Sequence, residues 1–225
     1  MEIHTPEELL GPLNEVERKN APEKLYTAGD VALLRNGPRV SVVGSRRASD
    51  EGVRRAEILT KALVERHAVV ISGLAEGIDT AAHETAIALG GKTVAVLGTP
   101  LDKVFPAKNR PLQDRIMRDY LAVSQFPSGY PSGRESFPIR NRTMALLSDA
   151  TVIVEAGEKS GTVHQGWEAL RLGRLLFLME SIATSAALSW PTEMIRYGAQ
   201  VLGRDNLEEV LRNLPEHSVG EEVTI

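Results

Sequence analysis

Short apolar runs and longer amphipathic segments alternate along most of the chain. The apolar runs are rich in Val, Ile and Leu and predict strands at residues 40–43, 68–71, 93–97, 121–124, 150–155, 174–178 and 200–202. Apolar residues at helical spacing predict helices at residues 49–67, 76–89, 111–119, 139–147, 163–172, 191–197 and 206–213. Strands that alternate with helices in this way are typical of a parallel sheet covered on both faces. The pattern therefore predicts a doubly wound α/β fold with a mainly parallel sheet and helices on both faces.

The two ends of the chain depart from this alternation. Residues 1–38 contain two helical candidates, at 6–18 and 28–34, and too few apolar residues for a core of their own. We expect them to form a short N-terminal helical arm that packs against a domain formed by residues 39–214. Residues 215–225 show no periodic pattern and are expected to be a disordered tail.

Residues 40–49, which read VSVVGSRRAS, are the stretch around which the rest is organised. A predicted strand runs directly into Gly44 and Ser45, and a predicted helix follows from Ser49. Glycine lets backbone N–H groups approach an anion, and the start of a helix adds a favourable dipole. Arg46 and Arg47 lie at the same corner. The corner is therefore a candidate phosphate site, although an ordinary strand-to-helix turn with solvated arginines would show the same pattern.

Glycines also mark the ends of three other predicted strands, at Gly73, Gly98 and Gly157. In a parallel sheet such ends lie along one edge, which is where open α/β folds bind ligands. Basic side chains occur near these ends, namely Arg46, Arg47, Lys108, Arg110, Arg140, Arg142 and Lys159. Because the formal net charge of the chain is -4, this predicts a local basic crevice on an acidic protein.

The composition narrows the class of function. None of the 225 residues is Cys, which excludes disulfides, thiolate metal sites and cysteine nucleophiles. Aromatic residues make up 4% of the chain, too few for the stacking platform of several rings found in OB-type binders of single strands. No apolar run has the length of a membrane span, and the N-terminus lacks a signal-peptide pattern. We expect a cytoplasmic protein with no membrane partner and no bound metal.

Several motifs in a fixed order carry a family resemblance. They read VVGSRRAS, ISGLAEGIDTAAH, AVLGTPLDKVFPAKNR and SFPIRNRTMALLSDATVIVEAGEKSGT. Together they resemble the DNA-processing protein A family, also called DprA or Smf, over residues 38–180. The resemblance implies a Rossmann-like domain that binds single-stranded DNA, forms a homodimer and, in natural transformation, hands the strand to a RecA-type recombinase.

The resemblance also implies where the strand would bind. Gly44, Ser45 and Arg46 match the family's phosphate-contacting corner, with Arg47 beside it. The remaining matched positions lie in the loops that follow the other strands or flank the groove, and they are Gly73, Leu74, Ala75, Gly77, Asp79, Lys108, Asn109, Arg140, Asn141, Arg142, Ser160, Gly161 and Thr162. Guanidinium groups and backbone N–H groups at helix starts both suit phosphate oxygens, so the chemistry agrees with these assignments.

The chain is expected to depart from the family pattern in several ways. The N-terminal helical region is expected to be reduced to about forty residues. The C-terminal winged-helix domain of longer members is expected to be missing. After Thr162 the family continues with small and apolar residues, whereas this chain has His164, Gln165 and Trp167.

Six side chains near the predicted crevice have ordinary structural interpretations beside functional ones. Asp79 could bind a ligand hydroxyl or cap the helix that follows it. His83 fits a buried hydrogen bond better than proton transfer. Glu155 ends a buried strand, so a ligand or an arginine should satisfy its carboxylate. Trp167 fits the core or a dimer surface. The paired acids Asp50 and Glu51 suit a helix start.

Three functions remain in competition. The first is a non-catalytic binder of single-stranded DNA, which agrees with the absence of a recognisable triad, paired carboxylates or a metal-ligand cluster in the sequence. The second is the binding or sensing of a free nucleotide. The third is a nucleotide N-glycosidase related to the lysine-decarboxylase-like family, which uses a glycine-rich loop, a Thr and a nearby Glu. Here the first carboxylate after Gly161 and Thr162 is Glu168. We expect no catalytic residues and no cofactor. We also expect a homodimer whose buried edge is strengthened by the segment at residues 172–188, with its apolar run at 175–179, although an internal strand would show the same apolar run.

Overall fold

A computed structural model of the chain describes residues 1–215. The disorder expected for residues 215–225 therefore concerns a tail that, from residue 216 onward, lies outside the described residues.

Within residues 1–215, nine strands form one sheet in the order β1-β2-β6-β5-β4-β3-β7-β8-β9. The strands are β1 (Glu2–His4), β2 (Leu25–Gly29), β3 (Arg39–Gly44), β4 (Val69–Ser72), β5 (Lys92–Leu97), β6 (Leu121–Ser124), β7 (Ala150–Glu155), β8 (Leu175–Met179) and β9 (Gln200–Leu202). From β6 to β9 every neighbouring pair is parallel, whereas β1 and β2 add an antiparallel edge.

Ten α-helices lie within residues 1–215. They are α1 (Pro6–Leu10), α2 (Glu15–Asn20), α3 (Asp50–Glu65), α4 (Ile78–Ala88), α5 (Arg110–Asp119), α6 (Ser136–Leu147), α7 (Gly161–Arg171), α8 (Glu180–Ala183), α9 (Trp190–Arg196) and α10 (Leu207–Arg212). Those from α3 to α9 connect the parallel strands. None of the ten helices combines the length and the apolar character that crossing a membrane requires, as far as residues 1–215 are concerned.

The sheet is covered on both faces because its buried strands alternate their side chains between two apolar clusters. Val42 lies in a cluster with Leu59 of α3 and Ala82 of α4. Its neighbour Val43 lies in a second cluster with Met144 of α6, beside which α7 packs. This alternation is the ordinary period of a strand, and it places helices above and below the sheet. The predicted Rossmann-like, doubly wound α/β fold is confirmed.

The pairing of β3 with β7 is the feature that positions the site. The two strands are parallel neighbours, with Val42 opposite Val152. Along the chain, however, β3 is followed by β4, β5 and β6 on one side, and β7 then returns to its other side. The strand order therefore reverses between β3 and β7. In open α/β sheets, the crevice outside the carboxyl ends of the strands at such a reversal is where ligands bind.

The N-terminal arm differs from the predicted helical arm. Its second half forms β2, which pairs with β6 and buries Leu25 and Thr27 at alternate positions. This period of two overrides the helix predicted at 28–34, of which a short 3-10 segment at Val31–Arg35 remains. The helix predicted at 6–18 is divided into α1 and α2. The boundaries at residues 38 and 214 stay a prediction.

The apolar run at 175–179 was expected to strengthen a dimer edge, and the structure gives a different reason for it. The run is β8, which lies between β7 and β9, and Leu176, Phe177 and Leu178 are buried in the two clusters of the sheet. Its hydrophobicity is explained by the interior of this chain.

Candidate nucleic-acid interface

A crevice of about 450 Å³ opens at the carboxyl ends of β3 and β7. The residues lining it come from the β3–α3 corner, the β4–α4 loop, the first turns of α6 and the β7–α7 loop. The predicted site residues that line it are Gly44, Ser45, Arg46, Arg47, Ala75, Asp79, Arg140, Asn141, Ser160, Gly161 and Thr162. The structure thus brings most of the predicted residues together at one place.

The β3–α3 corner is held by Glu155, the last residue of β7. The backbone N–H of Ser45 donates to the Glu155 carbonyl oxygen at 2.8 Å. The Glu155 carboxylate accepts from the backbone N–H of Ser49 at 3.1 Å and from its hydroxyl. Ser49 in turn caps α3 by accepting from the Gly52 N–H at 3.0 Å. The carboxylate is therefore satisfied by the start of α3, whereas we expected an arginine or a ligand to do so.

Arg46 and Arg47 are exposed at the mouth of the crevice. The Arg46 guanidinium carbon lies 4.8 Å from the centre of the Phe137 ring, a cation–π contact between the corner and the first turn of α6. Phe137 also borders a second, smaller crevice of about 200 Å³ that shares Arg46 and Arg47 and extends to Gly73 and Phe105. A positive charge and an aromatic face therefore stand side by side where the two crevices meet.

The start of α7 forms the opposite wall. Ser160 caps the helix by accepting from the Thr162 N–H at 3.2 Å, and the Thr162 hydroxyl donates to the Gly44 carbonyl oxygen at 3.2 Å. The loop after β7 is thereby tied to the corner after β3. Lys159 lines the crevice beside this helix start. Backbone N–H groups, a helix dipole and nearby cations make this wall suitable for an anion.

Arg140 is buried beneath the crevice, with 5% of its surface exposed. Its Nη1 donates to the carbonyl oxygens of Gly73 at 2.6 Å and of Val96 at 2.8 Å, and its Nε donates to the Asn141 side-chain oxygen at 3.0 Å. A side chain at Gly73 would collide with this guanidinium. Arg140 therefore joins the ends of β4 and β5, which is a more structural task than the phosphate contact predicted from the sequence.

Asp79 does not cap α4. The helix begins at Ile78 with Gly77 as its N-cap, and Asp79 is a buried residue of the first turn whose carboxylate accepts from the Ala75 N–H at 3.3 Å. Burial raises the pKa of Asp79, and the positive charge of Arg140 opposes that shift. Burial likewise lowers the pKa of Arg140, and here Asp79 opposes the change. These two ionisable side chains lie next to each other under the floor of the crevice.

His83 has the structural role expected of it. The side chain is fully buried, and its Nδ1 lies 2.7 Å from the Thr93 hydroxyl, which itself donates to the Val70 carbonyl oxygen. Burial, followed by the charge of Arg140, lowers the pKa of His83 to about 3. A histidine with this pKa is neutral near pH 7 and is a poor proton donor there.

The other predicted site residues lie outside the larger crevice. Lys108 forms an ion pair with Glu76 at 2.8 Å, and Arg142 donates to Glu168 at 3.2 Å. Asn109 is buried, and its amide donates to the carbonyl oxygen of Leu74 and to the Thr80 hydroxyl, both at 2.9 Å. The last two predicted residues shape the β4–α4 loop and have positive φ, namely Leu74 at 57° and Gly77 at 75°.

The comparison with known families shows which protein family this chain belongs to. A family model described as DNA recombination-mediator protein A matches residues 5–215. The chain belongs to this family. It is the DprA family that the sequence motifs indicated, and DprA and Smf proteins are its curated relatives.

Several relatives of this DprA-family chain are well matched. DNA processing protein DprA from Streptococcus pneumoniae is 38% identical over 200 residues, which cover 88% of this chain and 70% of that protein. Its X-ray structure matches with a TM-score of 0.80 over 95% of this chain and 74% of that one, at 32% identity. DprA from Bacillus subtilis is 30% identical over 198 residues, and the match spans 88% of this chain but 66% of that relative.

A structure of DNA processing protein A from Helicobacter pylori matches with a TM-score of 0.76 and 27% identity. It covers 94% of this chain and 95% of that one, and it is described in terms of that protein's single-stranded DNA binding mode.

Two lining residues of this DprA-family crevice were missed by the sequence analysis. Phe137 was not among the predicted site residues, although an aromatic residue three positions before Arg140 in the matching motif was an available signal. Gln165 was noted only as a departure from the family pattern, yet it lies on the inner wall of the crevice. Among the described residues, no cluster of three or more His, Asp or Glu side chains is placed to hold a metal ion.

Proposed function

We propose that this chain binds single-stranded DNA in the crevice between β3 and β7 and acts in DNA processing, by presenting the strand to a recombinase during recombination or uptake. The observation that carries the proposal is the position of Arg46 over the ring of Phe137 at the mouth of the crevice. A guanidinium and an aromatic face together match the two chemical parts of a single strand, its phosphates and its unstacked bases.

Phosphate binding is supported by the exposed basic side chains of the crevice. Arg46, Arg47 and Lys159 line the crevice and are exposed. The acidic groups nearby are occupied, since the Glu155 carboxylate binds the start of α3 and Asp79 is buried next to Arg140. The crevice therefore carries a local positive charge although the chain has a net charge of -4.

A single strand fits this site better than a duplex. The crevice has about 450 Å³, which is within the range of small-ligand sites and admits one nucleotide unit rather than a double helix. The accessible part of the Phe137 ring, which Arg46 also contacts, can stack only with a base that has left its own stack. The proposal therefore includes a preference for single strands with little dependence on base composition.

The proposed role is binding without catalysis. An N-glycosidase would need a carboxylate beside the loop at Gly161 and Thr162. Glu168, the first one that follows, is instead engaged by Arg142 and Arg171. A free nucleotide is the second candidate ligand, because the volume of the crevice also fits a mononucleotide.

The proposal extends to a homodimer and to a RecA-type recombinase as partner, both of which the resemblance of the sequence motifs implies. The surface after α9 offers an apolar patch for self-association, since Tyr197 is 67% exposed, Ile195 is 38% exposed, and the Tyr197 ring meets the edge of Trp167. Light scattering should show a dimer at a protein concentration on the order of tens of micromolar, which is suitable for detecting weak dimers. A monomer at that concentration would contradict this part of the proposal.

The test of the binding function compares four ligands with one protein. The protein is titrated at several salt concentrations with four labelled ligands. They are a single strand of mixed sequence, the matching duplex, a homopolymer and a mononucleotide. The single strands should bind best, with a log–log salt dependence of roughly -0.7 for each phosphate contacted. Tighter binding of duplex, or binding that does not change with salt, would refute the proposal, and binding of the mononucleotide alone would establish the second candidate.

A further inference from the structure

Gln165 is a buried side chain whose amide has no partner in the described part of the chain. The residue is 1% exposed, and neither its Nε2 nor its Oε1 forms a hydrogen bond with any of residues 1–215. A buried amide in this state costs free energy, and such groups are rare in folded proteins. The amide therefore calls for an explanation, and its position on the crevice wall supplies one.

The position of Gln165 on α7 places it below the proposed phosphate wall. Gly161 begins the helix, and Gln165 follows one turn later on the same face. Because side chains in a helix lean toward its N-terminus, the amide is directed to the same crevice that the start of α7 borders. A ligand with its phosphate at the helix start would thus have its other end near this amide.

We propose that the Gln165 amide hydrogen-bonds the edge of one nucleobase that enters the crevice. This inference rests on the proposed function and adds a recognition element to it. A glutamine amide offers a donor and an acceptor side by side. Every natural base has an edge with an adjacent donor and acceptor, so the amide can pair with any of them after a rotation about its last torsion. The contact distinguishes a base from a group without a hydrogen-bonding edge, while it selects weakly among the four bases.

A second glutamine provides a matched control. Gln113 of α5 is equally buried, at 1% exposed, but its Nε2 donates to the Leu101 carbonyl oxygen at 3.2 Å. It lines none of the crevices around β3 and β7. Within residues 1–215 the Gln113 Oε1 also has no partner, so the two residues differ in the amide nitrogen, which is hydrogen-bonded at Gln113 and unpaired at Gln165.

The experiment measures the affinity of short strands of thymidine and of equally long strands of difluorotoluene nucleotides, which keep the shape of thymine but lack its hydrogen-bonding edge. The wild-type protein should bind the thymidine strand about tenfold more tightly. Gln165→Met, which keeps the length of the side chain and removes the amide, should bring the two affinities together, mainly by weakening the thymidine strand. Gln113→Met should keep the tenfold ratio.

Thermal unfolding of the free variants gives a second readout. Gln165→Met should leave the melting temperature unchanged or raise it, because it removes a buried amide without a partner. Gln113→Met should lower it, because the Leu101 carbonyl oxygen loses its donor. A drop for Gln165→Met as large as that for Gln113→Met would mean that the amide serves the fold, which would overturn the inference.

The outcomes separate this inference from the proposed function. Equal affinities of the wild type for the two strands would overturn the base contact and leave strand binding intact, and this result needs no variant to fold. If neither a strand nor thymidine monophosphate binds, both proposals fail. If thymidine monophosphate binds and Gln165→Met abolishes that binding while no strand binds, the base contact is supported and strand binding is contradicted.

Discussion

The guanidinium of Arg46 and the ring of Phe137 are 4.8 Å apart, although one belongs to the β3–α3 corner and the other to the first turn of α6. The ring needs space next to Gly98, the residue after β5, because a Cβ there would lie 2.6 Å from a ring carbon of Phe137. Strand ends that are distant in the chain thus cooperate to present one charged and one aromatic group. Each of the two groups can be tested separately.

Phe137→Ala is expected to weaken the binding of single-stranded DNA while leaving its salt dependence unchanged. Stacking of one base on an aromatic ring contributes about 1–3 kcal/mol, so the affinity should fall by roughly tenfold or more. The slope against salt should not move, since no phosphate contact is lost. Fluorescence titrations would measure both quantities. Leu89→Ala is the control, because this side chain is 47% exposed at the end of α4, lines neither crevice and should have no effect on the affinity.

Arg140→Ala is expected to destabilise the fold severely. The substitution leaves Asp79 buried without its neighbouring positive charge and removes the donor that joins the ends of β4 and β5. Breaking such a buried arrangement costs about 3–5 kcal/mol. Arg142→Ala removes an exposed ion pair from the same helix and should cost less than about 1 kcal/mol. Urea unfolding would measure both values, and similar losses for the two variants would contradict the assigned role of Arg140.

Gly52→Ala should destabilise the start of α3. A Cβ at Gly52 would collide with the carboxylate of Glu155, which caps this helix through Ser49. We expect a loss of about 1–3 kcal/mol in the free energy of unfolding. Gly157 has free space around its Cα, so Gly157→Ala should be nearly neutral for stability. Chemical denaturation would test the pair, and an unaffected Gly52→Ala variant would show that Glu155 does not hold the corner.

His83 should make the fold less stable as the pH falls below its ordinary pKa. The folded state keeps His83 neutral down to a pKa of about 3, whereas the unfolded chain takes up the proton near pH 6.5. Between these values the unfolded state binds more protons, so the free energy of unfolding decreases by about 1.4 kcal/mol per pH unit. From pH 7 to pH 5 the loss attributable to His83 is about 2 kcal/mol.

The raised pKa of Asp79 acts in the opposite direction, because the folded carboxyl keeps a proton that the unfolded one has released. The contribution of His83 is therefore taken as the difference in slope between the wild type and His83→Gln. His164→Gln changes an exposed histidine and should keep the wild-type slope. Identical slopes for the wild type and His83→Gln would show that His83 is not buried as a neutral side chain.

The central sheet could be predicted because the apolar residues of its strands indicate directly that those strands are buried. The strands β3 to β9 are runs of Val, Ile and Leu between turns, and their order along the chain follows the alternation with helices. The edge formed by β1 and β2 could not be predicted in this way. In β2 only Leu25 and Thr27 are buried, and the signal of a half-buried strand over five residues is weak beside that of a helix.

Part of the candidate site could also be predicted from the sequence. Glycine and arginine at Gly44 and Arg46 mark a corner whose geometry follows from the chain itself. The tasks of Arg140 and Asn109 depend on carbonyl oxygens of distant segments, which a sequence does not place in space. The amide of Gln165 became notable because burial left it without a partner, and that is a property of the packed structure.

The most direct test of the account compares Arg46→Ala with Arg142→Ala in the binding of one labelled single strand across a salt series. A charge-assisted contact contributes about 1.5–3 kcal/mol, so Arg46→Ala should weaken binding by roughly ten- to a hundredfold and reduce the salt slope by about 0.7. Arg46→Lys should recover part of the loss, because an ammonium cannot reproduce the guanidinium fork. Arg142→Ala, whose side chain is paired with Glu168 outside the crevice, should bind like the wild type. Equal losses in the two alanine variants, or an unchanged affinity in Arg46→Ala, would contradict the assignment of the crevice as the strand-binding site.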